Sequence, residues 1–251
     1  MQFKKILIVV VCFAALLAVG MLRTHLGIAQ MKAVSDSQDA RQNVDASCSV
    51  EPNLSDAIEE KLFERPISVE RNGEFRIGVK CLGGIYAVLS VYCAKDGRYE
   101  KLFSCPAVIG RNGPGKQMEG DAKTPLGTWK VGKAYGIKED PGSQIPYTQV
   151  TEDMYWCGDS TSANYNTLIY HSDNPDVDHT EDEHLISIGM RYNYILDMGY
   201  NAACSPYVGS AIFLHCWKDK DYPTSGCVAI SEEDMVKVLQ TVTPNTSVTI
   251  Y

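Results

Sequence analysis

The sequence has no cluster of basic residues beyond its first few positions. Its 23 Lys and Arg residues are outnumbered by 31 Asp and Glu residues, which gives a formal net charge of −8. Because phosphate contacts supply most of the affinity of nucleic-acid-binding proteins, the missing basic stripe excludes a nucleic-acid partner. The same acidic balance argues against an anionic membrane surface as a partner for the folded part of the chain.

Common metal and phosphate motifs are also missing. No Cys-x-x-Cys pair occurs, which argues against a structural zinc ribbon. The Gly-rich stretch at residues 110–120 lacks the Lys-Ser/Thr ending of a P-loop, and we predict a flexible surface loop there. The run HSDNPDVDHTEDEH at residues 171–184 has neither the spacing of a His-Glu-x-x-His zinc helix nor the central Gly of a calcium loop. We interpret it as a solvated acidic loop without a metal.

One long apolar run stands at the N-terminus. Lys4 and Lys5 precede an unbroken apolar stretch over residues 6–22, and small residues follow at Gly27 and Ala29. The run is long for a signal-peptide core and short for a transmembrane helix of roughly 20 residues. The sequence therefore predicts a signal peptide or membrane anchor over residues 1–29, with the rest of the chain outside the cytoplasm. If it is not cleaved, the run at residues 6–22 contacts the membrane.

The remaining sequence predicts a polar spacer and then one folded domain. Residues 30–65 form the spacer, with a short helix at its end, and residues 66–251 form the domain. Strand-like segments separated by turn residues predict a mainly β domain with short helices at its margins. The predicted strands are residues 75–82, 85–93, 99–109, 208–214, 228–230 and 247–251, and the predicted C-terminal helix begins after a Ser231 cap.

His215 and Cys227 are the residues with the strongest chemical signal. An apolar strand at residues 211–214 ends at His215, and a polar loop then leads to Gly226 and Cys227. An imidazole beside a thiol can take its proton and favour the nucleophilic thiolate. With five His and nine Cys in the chain, the pair alone favours a buried structural Cys beside a hydrogen-bonded core His.

Two sequence motifs, in the same order along the chain, resemble those of one family. The stretch from His215 to Thr-Ser-Gly-Cys227 resembles the signature of the L,D-transpeptidase catalytic domain, also called the YkuD type, and GDAKTPLGTW at residues 120–129 resembles an upstream segment of that family. The similarity extends over roughly residues 99–251. Ser225 stands where the commonest family pattern has His, which places the chain with the family's Thr-x-Gly-Cys branch.

This resemblance implies a YkuD-type, β-sandwich-like fold and a reaction. Cys227 as nucleophile and His215 as base would cleave a peptidoglycan stem peptide after the L-centre of its third residue, with loss of the terminal D-amino acid. An amine on a neighbouring stem would then form a 3→3 cross-link, whereas water would give an L,D-carboxypeptidase. The resemblance implies no metal or organic cofactor, and it implies carbapenem-type inhibitors that acylate Cys227.

Further site residues are predicted around this pair. The backbone N–H groups of Gly226 and Cys227 are expected to stabilise an oxyanion, and the backbone carbonyl of Cys216 to orient the imidazole. Core packing is the alternative for the two aromatic residues in the predicted substrate-binding set. That set consists of Trp156, His184, Tyr222 and Ser225.

Two other classes of protein remain as alternatives. A different cell-wall cysteine peptidase, such as a papain-like enzyme, would need a Cys upstream of its His, as Cys81, Cys93, Cys105 or Cys157 would be. A non-enzymatic, disulfide-bonded module that binds the cell wall is the second alternative, since export permits disulfides. Apart from Cys12 and Cys227, seven cysteines remain, so at least one is free or pairs between chains.

Overall fold

The structure is a computed structural model that describes residues 74–251. The predictions for the signal or anchor segment, the spacer with its helix and the first residues of the domain at 66–73 lie outside the described residues. Across residues 74–251, helices are too short or too polar to cross a membrane.

The described chain is mainly β, as predicted. Its strands lie in two sheets, and one α-helix and two short 3₁₀ segments pack at the margins. The strands are β1 (Phe75–Gly83), β2 (Tyr86–Lys95), β3 (Arg98–Val108), β4 (Gly127–Lys130), β5 (Ala134–Gly136), β6 (Tyr147–Gln149), β7 (Met154–Trp156), β8 (Leu168–Tyr170), β9 (Glu183–His184), β10 (Ile195–Asp197), β11 (Phe213–Cys216), β12 (Val228–Ile230) and β13 (Ser247–Ile250). The helix α1 is Glu232–Thr241, and the 3₁₀ segments are His171–Asp173 and Leu185–Tyr192.

Ten strands form one large curled sheet. Their order is β4-β13-β1-β2-β3-β12-β11-β10-β5-β6, and β8-β7-β9 form a separate small sheet. The β1–β2 hairpin turns at Gly84-Ile85 and the β2–β3 hairpin at Asp96-Gly97, between strands that the sequence predicts. The β1–β13, β11–β12 and β5–β6 pairs are parallel.

Strands β11 and β12 are buried on both faces. Leu214 and Cys216 of β11 point with Val228 and Ile230 of β12 into the main core, which α1 covers. Phe213 and Cys227 belong to a second core that includes Trp156 and Tyr192. Because side chains alternate along a strand, the residues between the main-core positions face this second core. His215 is one of them, and so is Cys227.

The helix α1 confirms its predicted cap and apolar face. Ser231 is the N-cap, and its hydroxyl accepts a hydrogen bond from the Asp234 N–H at 3.0 Å. Met235, Val238 and Leu239 are fully buried against the large sheet. The helix therefore forms a fixed support behind the strands that carry His215 and Cys227.

The predicted strand at residues 208–214 is wrong in its bounds. The observed strand is Phe213–Cys216, so His215 lies inside a strand and not at its end. Gly209 and Ala211 have φ angles of 135° and 51°, which an extended strand cannot contain. The Ala211 N–H also donates to the Asn166 side chain at 3.1 Å, outside any strand ladder.

We expect Leu239→Ala to lower the free energy of unfolding by about 2–5 kcal/mol, because it leaves a cavity between α1 and the sheet. Urea denaturation followed by circular dichroism measures this change. Lys237→Ala, on the solvent side of the same helix, is the matched control and should change stability little. Equal effects of the two substitutions would contradict the packing described for α1.

Candidate active site

The register of β11 and β12 brings His215 and Cys227 to one face. Leu214 pairs with Val228 and His215 with Ala229, in parallel. The Phe213 N–H lies 3.4 Å from the Cys227 Sγ, which places the thiol directly beside β11. Both Cys227 and His215 are buried, with exposed fractions of 8% and 5%. The predicted pair is therefore brought together, on one face of two adjacent strands.

The loop between the two residues is hydrogen-bonded to the segment that directly follows strand β3. The Thr224 N–H donates to the Ile109 carbonyl at 3.0 Å, and the Arg111 N–H donates to the Thr224 carbonyl at 3.0 Å. The Gly-rich stretch that begins at Gly110 is thus paired with the loop that carries Cys227. This pairing corrects the prediction of a flexible surface loop for the first residues of that stretch.

Thr124, from the TPLGTW motif, joins the two motifs of the sequence. Its hydroxyl donates to the Gly226 carbonyl at 2.8 Å and accepts from the Gly110 N–H at 2.9 Å. The residue has no exposed surface. Sequence reasoning did not identify this role; its signal was the fixed Thr in the upstream motif. The contact explains why the two distant motifs occur together, since one positions the backbone of the other.

Asp121 fixes the turn that precedes Thr124. Its carboxylate accepts backbone hydrogen bonds from Gln117, Met118 and Lys123 and pairs with the Lys116 ammonium at 3.0 Å. Burial alone would raise the pKa of Asp121, but these donors hold it well below its usual range. The carboxylate therefore stays ionised and keeps the upstream motif in one conformation.

Gly226 is required by the backbone next to the thiol. Its φ angle is 142°, and an added Cβ would lie 2.9 Å from the Lys123 carbonyl oxygen. Its N–H donates to the Thr224 hydroxyl at 3.1 Å, so this donor already has a partner. Of the two predicted oxyanion donors, Gly226 therefore acts as part of the turn, and the Cys227 N–H is the candidate that remains.

The thiol and the imidazole each bond to the backbone. The Cys227 thiol donates to the Ala211 carbonyl at 3.1 Å, and the His215 Nδ1 lies 2.8 Å from the Cys216 carbonyl oxygen. The second contact is the one predicted for orienting the ring, and it favours a proton on Nδ1. In this state the thiol proton points to Ala211 and not to His215.

Burial keeps both groups neutral at rest. Desolvation lowers the pKa of His215 to about 4, against hydrogen bonds to the backbone of Cys216 and Arg191 that raise it. Desolvation, with the nearby Glu183 charge, raises the pKa of the Cys227 thiol to about 12. The sequence predicted that His215 would increase the thiolate fraction near neutral pH. The buried resting pair differs from this prediction, because an ion pair formed here would lose the solvation of both charges.

Two cavities meet at Cys227. The smaller cavity, of about 70 Å³, has His215, Arg191, Tyr192 and Tyr222 among its lining residues. The larger cavity, of about 370 Å³, is lined by residues that include Arg111, Lys116, Trp156 and Ala211. Glu183, Ser225 and Cys227 line both. A peptide that reaches the thiol can therefore extend to either side of it.

The predicted substrate-binding residues divide into two groups. Ser225 lines both cavities and accepts a hydrogen bond from Arg111 at 2.5 Å, and Tyr222 is an exposed part of the smaller cavity. Trp156 lines the larger cavity, yet it is buried and its indole N–H donates to Asn166 at 2.9 Å. His184 lines neither cavity; its ring stacks on Tyr155 at 4.3 Å.

The acidic run at residues 171–184 is more ordered than predicted. The rings of His179 and His184 stack on the two sides of Tyr155, and His179 Nδ1 lies 2.8 Å from Asp182. The Asp182 side chain is almost fully buried, so this part of the run is not a solvated loop. Within residues 74–251, no group of three or more His, Cys, Asp or Glu side chains has a metal-binding arrangement.

A buried thiol and imidazole on neighbouring strands, with cavities on both sides, define a candidate site of the cysteine-nucleophile class. Residues 88–250 match the model of the YkuD family, the L,D-transpeptidase catalytic domain. The match covers more than half of the chain, and the chain belongs to this family. No curated protein sequence matches the chain.

Two solved structures are similar at low identity. One is Bd1075 from Bdellovibrio bacteriovorus, with 16% identity, a TM-score of 0.40, and coverage of 75% of this chain and 51% of that one. The other is the helical cell shape determining protein Pgp2 from Campylobacter jejuni, with 17% identity, a TM-score of 0.35, and coverage of 70% and 47%. This chain spans about half the length of these proteins.

We expect Thr124→Val to lower the free energy of unfolding by about 1–3 kcal/mol, because it leaves buried backbone groups at Gly110 and Gly226 without partners. Thr124→Ser keeps the hydroxyl and should retain more of the stability. Chemical denaturation of both variants measures the difference. A valine variant as stable as the serine variant would show that the hydroxyl does not connect the two motifs.

In the free protein, Cys227 should react slowly with iodoacetamide near neutral pH. Its raised pKa means that the thiolate fraction, and hence the rate, should increase as pH rises through 9 and above. Digestion and mass spectrometry identify the modified residue at each pH. The partly exposed Cys93 and Cys204 are internal controls and should be modified first. Cys227 as the fastest-reacting thiol at neutral pH would contradict the neutral resting state.

Proposed function

We propose that this protein is an exported cysteine L,D-transpeptidase that acts on peptidoglycan stem peptides. The observation that carries the proposal is the placement of Cys227 and His215 on one face of β11–β12, where two cavities meet. Family membership supplies the reaction class. Export rests on the sequence pattern of Lys4, Lys5 and residues 6–22, and a domain over residues 66–251 rests on the strand-like segments of the sequence.

The proposed acylation begins with a proton transfer inside the buried pair. The Cys227 Sγ–H leaves the Ala211 carbonyl and passes its proton to Nε2 of His215, whose Nδ1–H donates to the Cys216 carbonyl. The thiolate attacks the carbonyl carbon of the third stem residue, and the Cys227 N–H donates to the resulting oxyanion. The C–N bond then breaks, and the imidazolium gives its proton to the departing D-amino acid.

A thioester at Cys227 is the proposed intermediate. An amine of a neighbouring stem attacks it, His215 takes the amine's proton, and the thiolate leaves and is protonated again. The product is a 3→3 cross-link. Water as the attacking group gives the L,D-carboxypeptidase reaction by the same steps. The two cavities lie on either side of Cys227, so an acceptor group can approach the thioester from the side that the first peptide leaves open.

The alternatives from the sequence have less support. Every Cys within residues 74–251 is a free thiol, which disfavours a disulfide-bonded binding module for that part of the chain. The family match speaks against a papain-like enzyme, as does the position of Cys227 after His215 in the chain. Cys81 and Cys157 line neither of the two cavities that meet at Cys227.

Cys227→Ala in the full-length chain should bind a stem tetrapeptide but release no D-amino acid, and Cys227→Ser should be inactive for want of a strong nucleophile. His215→Ala should slow acylation by roughly 10²–10⁴-fold, the usual effect of losing a positioned acid–base group. Mass spectrometry of products with defined tetrapeptides measures turnover and distinguishes cross-linking from hydrolysis.

Cys216→Ala is the matched control for this prediction. It removes a neighbouring buried thiol but keeps the carbonyl that receives the His215 hydrogen bond, so turnover should change little. Trapping with a tetrapeptide or a carbapenem, followed by digestion, locates the acylated residue. An adduct on another cysteine, with Cys227 unmodified, would overturn the proposal and favour a different cysteine peptidase.

A further inference from the structure

Glu183 is a partly buried carboxyl group that the proposed mechanism does not use. It lies in β9, lines both cavities and is one of three residues, with Ser225 and Cys227, that both cavities share. Burial raises its pKa, against contributions from Tyr192 and Arg191 that lower it. A carboxyl group in a cavity wall beside a candidate nucleophile is unusual, because its partial desolvation costs free energy unless a partner compensates.

Three other charged groups of the larger cavity already have partners. The Lys116 ammonium pairs with Asp121 at 3.0 Å, and the Arg111 guanidinium donates to Ser225 at 2.5 Å. The Glu119 carboxylate accepts hydrogen bonds from Tyr165 at 2.5 Å and Ser210 at 2.7 Å. These contacts hold the cavity walls in place.

Glu183 is held through one of its two oxygens. Its Oε1 accepts a hydrogen bond from the Tyr192 hydroxyl, and within residues 74–251 this is the carboxyl's one hydrogen bond. Tyr192 is buried and packs edge-on against the rings of Phe213 and His215 at 6.1 and 5.4 Å. The tyrosine therefore fixes the carboxyl in a cavity wall while Oε2 stays available to a donor.

The charge of Glu183 also works against the nucleophile. After burial, the Glu183 charge is the next largest influence that raises the pKa of the Cys227 thiol. A negative charge beside the sulfur disfavours the thiolate that acylation needs. A cation bound at Glu183 would remove this effect, because it neutralises the carboxylate and adds a positive charge near the sulfur.

We infer that Glu183 binds a primary ammonium group of the peptide substrate, and that this ammonium cancels the repulsion between the Glu183 carboxylate and the Cys227 thiolate. The substrate class is a stem peptide that carries a diamino acid with a free amine, either on the peptide that acylates Cys227 or on the incoming acceptor. The inference rests on the proposed function. It explains how a buried thiol that is neutral at rest becomes reactive when the correct peptide occupies the cavities.

Binding to the full-length Cys227→Ala protein tests the inference without turnover. Isothermal titration compares a tetrapeptide that has a free side-chain amine with the same peptide acetylated on that amine. A second titration uses the amide of the diamino acid, free or acetylated, in the presence of saturating acetylated tetrapeptide, to represent the acceptor. In one of the two titrations the free amine should bind about 10–100-fold more tightly, the usual range for a charge-assisted hydrogen bond.

Glu183→Gln in the Cys227→Ala background should abolish the preference for the free amine over the acetylated amine. Glu183→Asp keeps the charge on a side chain shorter by one methylene, so this preference should become weaker. Glu181→Gln, which changes another carboxylate of the larger cavity, should leave it intact. With Cys227 restored, Glu183→Gln should react faster with iodoacetamide than the wild type, whereas Glu181→Gln should not.

No amine preference in either titration, or a preference that Glu183→Gln retains, overturns the inference. Amine-dependent binding without acylation of Cys227 in the active protein would instead contradict the proposed function and leave the Glu183 site standing.

Discussion

The parallel pairing of β11 with β12 is the constraint on which the candidate site depends. Its register sets Phe213 beside Cys227 and His215 beside Ala229, so the thiol and the imidazole share one face. Residues on the opposite face anchor the same two strands in the main core under α1. A shift of either strand by one residue would turn that strand's side chains over and place the thiol and the imidazole on opposite faces. The same strand register is therefore required both for core packing and for the geometry of the site.

The second structural theme is a backbone that is fixed by buried polar side chains. Thr124 holds Gly110 and Gly226, and Asn166 bonds to Trp156 and to the backbone of Ala211. These contacts set the Ala211 carbonyl, which receives the thiol proton at rest. Because a buried polar group without a partner is costly, each such side chain strongly favours a single local conformation. Loops, and not strands, thus bring most of the polar atoms to Cys227.

The site combines a buried thiol and a buried imidazole with charged and polar residues in its cavity walls. Its thiol and imidazole are neutral for the same reason, since a dry environment penalises either charge. Reactivity in such a site depends on what the substrate brings: new hydrogen bonds, new charge and a change in the direction of the thiol proton. The partly buried Glu183, which lines both cavities and is held by Tyr192, makes the charge of the substrate part of that balance.

The sequence by itself determined the mainly β fold, the β1–β3 hairpins, the capped helix α1 and the pairing of His215 with Cys227, because periodicity, turn residues and local motifs are short-range signals. It predicted the wrong start for β11, because a seven-residue apolar segment does not reveal the turn at Ala211 that Asn166 stabilises. Two facts about β9 were decided by tertiary structure alone. The His184 ring stacks on Tyr155, away from the Cys227 thiol, and Glu183 lines the same cavity as that thiol. These adjacent residues of β9 point to opposite faces of a strand, and only the packing of the small sheet determines which face meets Cys227.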